Sequence, residues 1–134
     1  VPEMDEVLGQ LVGMLRPGGA LLLSMEARWA WAISPDAPEG SIREALTGSG
    51  VIARPGDRWV RTLTREDLTR ALESAGLKIE VLEPTHYVPE GPLEGVAGEV
   101  SLDDLLALEE EARAHPVWAP LNRVWTVVAT RPEA

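Results

Sequence analysis

The sequence predicts an α/β fold. Three observations carry this. Helical apolar stripes alternate with short apolar runs along the chain. The runs are bounded by proline and glycine, as strands are. Composition suits a folded chain: 134 residues, 45% hydrophobic, 25% charged and a formal net charge of −10. One domain, or a piece of one, is the expected organisation over 1–134.

The first helix is predicted from Met4, Val7, Leu8, Leu11, Val12 and Leu15, which repeat at helical spacing. Pro17, Gly18 and Gly19 stop it. Ala20-Leu21-Leu22-Leu23-Ser24-Met25 follows without alternation, as a strand buried on both faces does. The stretch 27–63 then reads as irregular, with a short helix over 41–46. So long a connection is usually functional or mobile. It holds Trp29, Trp31 and Trp59, which either cover something or pin the loop to the core.

A second helix opens at Thr64, where Thr64-Arg65-Glu66-Asp67 has the form of a capping box with Asp at its last position. Leu68, Ala71, Leu72 and Ala75 form its stripe, and Gly76 is the expected stop. Leu77, Ile79 and Val81 alternate with Lys78 and Glu80, predicting a strand that reaches about Glu83. After a loop, a third helix starts at Ser101, with Leu102, Leu105, Leu106, Glu109 and Ala112 on one face. Glu109, Glu110 and Glu111 read as a solvated face. The segment 123–130 has strand composition.

Several chemistries are excluded or disfavoured. Cysteine is absent, so there are no disulfides, thiolate metal sites or cysteine nucleophiles. His86 and His115 lie on different elements, and no metal site is expected. Gly48-Ser49-Gly50-Val51-Ile52-Ala53 matches G-x-G-x-x-A only formally, because no strand precedes it and Arg54-Pro55-Gly56 follows it. The acidity disfavours nucleic acid as a partner. No run is long enough to span a bilayer and no secretory signal is visible, so a soluble, cytoplasmic chain with no membrane partner is expected.

Leu15-Arg16-Pro17-Gly18-Gly19-Ala20-Leu21-Leu22-Leu23 is the most informative segment. A helix, R-P-G-G and a buried strand resemble the turn into the fifth strand of class I S-adenosylmethionine-dependent methyltransferases. Thr64-Arg65-Glu66-Asp67-Leu68 through Ala75-Gly76-Leu77 resembles that family's helix into its sixth strand, and Val124 to Pro132 its closing seventh strand. The chain is thus similar to the C-terminal half of such an enzyme, of the type 11-like group. The resemblance implies the second half of a Rossmann-like sheet. It would have about three main strands, the last antiparallel, and about three helices, with inserts at 27–63 and 84–121.

The resemblance implies S-adenosylmethionine as the cofactor of the parent activity. The family's G-x-G-x-G turn and acidic ribose ligand have no counterpart among these residues, so no cofactor-binding residue is assigned. The chain alone is expected to bind the cofactor weakly and to be inactive. Glu26, Arg28, Trp29, His86 and Tyr87 map to the acceptor side, with no catalytic residue assigned. His86 or Tyr87 can deprotonate or orient an acceptor hydroxyl or amine, or can simply satisfy nearby backbone. Glu26 and Arg28 can bind a charged acceptor, or can form an ordinary surface pair. The strand at 20–25 is expected to have an unpaired edge, a liability that a homodimer or a separate N-terminal half would cover. A small-molecule acceptor fits this reading. The alternative is a non-catalytic dimerisation or binding module derived from that fold.

Overall fold

The computed structural model describes residues 3–34, 37–48, 51–54 and 58–133, with backbone alone at 51–54, 58–59 and 96–97. Five strands form one sheet: β1 (Ala20–Ala27), β2 (Val51–Arg54), β3 (Arg58–Leu63), β4 (Lys78–Thr85) and β5 (Val124–Thr130), in the order β2-β3-β1-β5-β4. The described helices are α1 (Met4–Met14), α2 (Arg28–Ala32), α3 (Ser41–Thr47), α4 (Arg65–Ser74), α5 (Glu94–Ala97) and α6 (Leu102–Ala114), with a 3-10 turn at Ala119–Leu121.

β5 lies between β1 and β4 and runs antiparallel to both, so β1 and β4 are parallel to each other. The sheet is larger than the three strands expected. The described residues of 27–63 are largely regular: they include α2, α3 and the antiparallel pair β2 and β3. β3 pairs with β1 in parallel, but only at Glu26–Thr62 and Ala27–Leu63. The outer edge of β1 over 20–25 has no strand against it among the described residues.

The R-P-G-G turn is held by the far end of the chain. Gly18 N–H donates to the Arg131 carbonyl and Arg131 N–H to the Gly19 carbonyl, both at 2.8 Å. The Arg131 guanidinium donates to the carbonyls of Val12, which also accepts the Leu15 amide at 3.0 Å, and Leu15, capping the last turn of α1. Gly18 sits at φ 78°, a conformation a side chain resists. Helix α4 starts as its sequence dictates: the Asp67 amide donates to Thr64 Oγ1 at 3.2 Å. The Asp67 carboxylate does not close the box; it turns to Arg28 and Arg70.

The core lies on one face of the sheet. Leu8 of α1 and Leu68, Ala71 and Leu72 of α4 pack on Ala27, Trp125, Val127 and Ala129. Leu21, Leu23 and Met25 point the same way. The other face is open. Leu22 is 72% exposed and Ala20 and Ser24 are exposed, so β1 is not buried on both sides as its unbroken apolar run suggested. An apolar strand in a sheet with one covered face must leave every second side chain to water or to another chain. β4 also departs from simple alternation. A bulge between Ile79 and Val81 sets Val81 opposite Val128 and Leu82 opposite Val127. Leu82 thereby joins the core side and Val81 the open side.

Helix α6 is rotated from the expected face. Leu102 and Leu106 are exposed, while Ala112 is buried. The half-buried positions are Leu105, Leu108, Glu109 and Arg113, so Glu109 faces inward and does not belong to a solvated acidic face.

Candidate functional site

Strands β1 and β4 end at the same edge, and both long connections leave from there. Alternation distributes the edge residues between two faces. Glu26 pairs with Val124, and Val124 with Thr85, so Glu26 and Thr85 share the open face. Ala27 points to the core. The chain then turns into α2, which carries Arg28 and Trp29 to the core side.

On the open side Glu26 is a hub. Its carboxylate accepts from the Trp31 indole N–H and lies 3.6 Å from Arg123 Nε. The Arg123 guanidinium stacks on the Trp31 ring at 4.2 Å and donates to the Glu90 carbonyl at 2.6 Å. Trp31 is 3% exposed, so this indole pins the connection to the sheet edge. His86 adjoins the cluster, since the Arg123 amide donates to its carbonyl at 3.1 Å. His86 adopts φ 64°, a left-handed backbone that a histidine takes only under constraint. Its Nδ1 is 3.0 Å from Thr85 Oγ1, which orients the ring.

The constraint on His86 comes from the turn after it. Glu109 Oε1 accepts the Tyr87 amide at 2.9 Å and the Val88 amide at 2.6 Å. The Leu93 amide donates to the Tyr87 carbonyl at 2.8 Å. Tyr87 is fully buried, and its hydroxyl donates to the Ala119 carbonyl at 2.7 Å. Burial pushes its phenol up to about 12, with Glu109 adding to the effect and Arg113 and Arg65 opposing it. Tyr87 is therefore a neutral anchor for the turn, and its hydroxyl is committed to the backbone. Gly91 is required for the same turn, because a Cβ there would stand 2.2 Å from the His86 carbonyl oxygen.

On the core side a cavity of about 520 Å³ opens between the start of α4, the end of β4 and the 3-10 turn. Trp29, Leu63, Leu82 and Trp125 form apolar walls, and Arg28, Arg65 and Arg113 reach it. Arg28 is bound to Asp67 at 2.9 Å, with its side chain 11% exposed. Arg65 lies over the Trp125 ring at 5.1 Å, and that indole donates to the Leu63 carbonyl at 2.9 Å. Arg28 and Asp67 are thus a half-buried structural pair. Among the described residues, no three His, Asp or Glu side chains come together as a metal site requires.

Of the five residues expected at the acceptor side, the fold brings Glu26 and His86 to one face and Arg28 and Trp29 to the other, and it buries Tyr87. Sequence reasoning missed Arg123, Glu109 and Arg65. Each acts across more than 20 positions, where no local pattern reaches.

A crystal structure of an S-adenosylmethionine-dependent methyltransferase from Mesorhizobium loti superposes with a TM-score of 0.52 at 18% identity, over 98% of this chain. The fold is methyltransferase-like. The chain spans 56% of the length of that protein. No protein-family model matches the sequence, and no curated protein matches it.

Proposed function

We propose that this chain is the acceptor-side portion of an S-adenosylmethionine-dependent methyltransferase, as in the C-terminal half of a type 11-like enzyme. The supporting observation is the β1-β5-β4 arrangement. Two parallel strands flank an antiparallel one, and both long connections leave from one edge. Ligands of open α/β sheets sit beyond the carboxyl ends of the parallel strands. Glu26, Arg28, Trp29 and His86 stand at that edge. In this reading His86, oriented through Thr85, accepts or steers the proton of an acceptor hydroxyl or amine. Methyl transfer otherwise needs positioning and exclusion of water. S-adenosylmethionine supplies the methyl group. Its glycine-rich binding turn is not among these residues, so no residue here is assigned to it.

Calorimetric titration with S-adenosylmethionine tests the reading on two proteins: the 134-residue chain and the longest in-frame product of its gene that contains it. The expected result is no saturable binding to the chain and micromolar binding to the longer product. Micromolar binding by the chain itself, or none by a longer product carrying a G-x-G-x-G turn, refutes it.

One observation favours a second reading, a non-catalytic module that assembles with a second copy. The open face carries an apolar row, Leu22 beside Val128 beside Val81, next to the unpaired edge of β1. Light scattering at micromolar concentration decides it. A dimer that Leu22→Lys dissociates supports it, and a wild-type monomer removes it.

A further inference from the structure

We infer that the core-side cavity binds a small carboxylic acid with an apolar body. The inference goes beyond the acceptor-side reading: the cavity lies on the core side of the sheet, opposite His86, and the acid it binds is not the molecule whose proton His86 takes. The size is suitable, since 520 Å³ lies within the range of small-ligand sites. The walls are apolar and partly aromatic, with Trp29 and Trp125 offering ring surfaces and Leu82 an aliphatic one.

The charge lining the cavity is positive in a chain whose net charge is −10. Arg28, Arg65 and Arg113 reach it. Two glutamates, Glu66 and Glu83, also line it, which leaves a formal excess of one positive charge. Glu83 pairs with Thr126 on the open face, so alternation sends its side chain away. Glu66, like its neighbour Arg65, is exposed in the first turn of α4, but only Arg65 is held against the Trp125 ring. The carboxylates that do bind these arginines, Asp67 and Glu110, lie outside the cavity lining.

The arginines are positioned, and Arg65 and Arg113 still have donors to offer. Arg28 contributes charge alone, since one Nη is held by Asp67 at 2.9 Å and its Nε is buried away from the cavity. Arg65 makes one long bond, 3.4 Å to the Leu82 carbonyl, and is held over Trp125. Arg113 is fixed by Nε to the Pro84 carbonyl at 3.2 Å and by one Nη to Glu110. A guanidinium carries five N–H donors, so Arg65 and Arg113 each retain at least one. A carboxylate accepts such donors two at a time, and beside low-dielectric walls the attraction is stronger than in water. A neutral molecule of the same shape would leave them unsatisfied.

The test is calorimetric titration of the full chain with benzoate, methyl benzoate and benzylamine. These share a ring and differ in charge. Benzoate is expected to bind saturably, and at least about tenfold more tightly than either of the others. Arg65→Gln and Arg113→Gln should each weaken benzoate binding about tenfold, the scale of one charge-assisted bond. Arg65→Lys, which keeps the charge, should retain most of it. Circular dichroism of the variants separates lost binding from lost fold. Equal binding of the three probes, or benzoate binding indifferent to both glutamine variants, overturns the anion assignment. Absence of benzoate binding to a folded chain overturns the site. Neither result touches the methyl-transfer reading, which the S-adenosylmethionine titration decides separately.

Discussion

Replacing Glu109 separates an acidic face from a buried clasp. Its Oε1 accepts two amides, from Tyr87 at 2.9 Å and from Val88 at 2.6 Å. Both residues are buried, at 0% and 5% exposure, so water cannot replace the carboxylate without opening the turn. Each orphaned amide costs about 1–3 kcal/mol. The two share one oxygen and one turn, so the combined loss for Glu109→Ala is about 2–4 kcal/mol. Glu109→Gln keeps an oxygen at the same place without the charge, and should cost about 1 kcal/mol. Glu111→Ala, on the exposed side of the same helix, should stay within about 0.5 kcal/mol. Urea unfolding followed by circular dichroism measures all three, with the midpoint read at unchanged slope. If Glu109→Ala and Glu111→Ala destabilise equally, the clasp is not what holds the turn. The left-handed backbone of His86 would then need another cause.

Three further outcomes are expected. Tyr87 holds its proton to about pH 12 against 10 when unfolded, so its contribution is complete below pH 10 and is lost as pH rises from 10 to 12. Tyr87→Phe should remove up to about 2–3 kcal/mol of that alkaline slope, and an equal slope in the variant contradicts the assignment. Gly91→Ala should destabilise the chain by more than about 3 kcal/mol in urea or prevent folding, because its Cβ would meet the His86 and Tyr87 carbonyl oxygens at 2.2 and 2.4 Å. Leu22→Ser should change the stability of the monomer by less than about 0.5 kcal/mol, since the side chain is 72% exposed; a larger loss at a concentration where the chain is monomeric means the face is covered.

Much of the fold was legible because its signals are local. The cap at Thr64 and the stop at Gly76 depend on residues within a few positions of one another, and the structure has them where the chemistry requires. The glycines of the R-P-G-G turn were equally legible, while the strand end that holds them, at Arg131, was not. The β2–β3 pair was not legible. Its attachment to β1 rests on two residue pairs, Glu26–Thr62 and Ala27–Leu63, separated by a stretch rich in proline and glycine. The bulge in β4 was hidden for a related reason. Val81 and Leu82 are both apolar, and only pairing with Val128 and Val127 decides which of them faces the core.

The candidate site shows the same division. Sequence determined that chemically capable residues stand at the ends of two strands, because strand ends and their flanking residues are written consecutively. It also determined how the chain caps, turns and stops, since those depend on dihedral preferences and neighbouring hydrogen bonds. Tertiary structure decided which of those residues meet. A pleated strand sends neighbours to opposite faces, so Glu26 joined Arg123 and Trp31 while Arg28 and Trp29 went to the cavity. The turn that follows the left-handed His86 is held by a glutamate 22 positions beyond Tyr87, on another helix, which accepts that residue's amide. Contacts of that separation are set by packing of whole elements, which no window of the sequence contains.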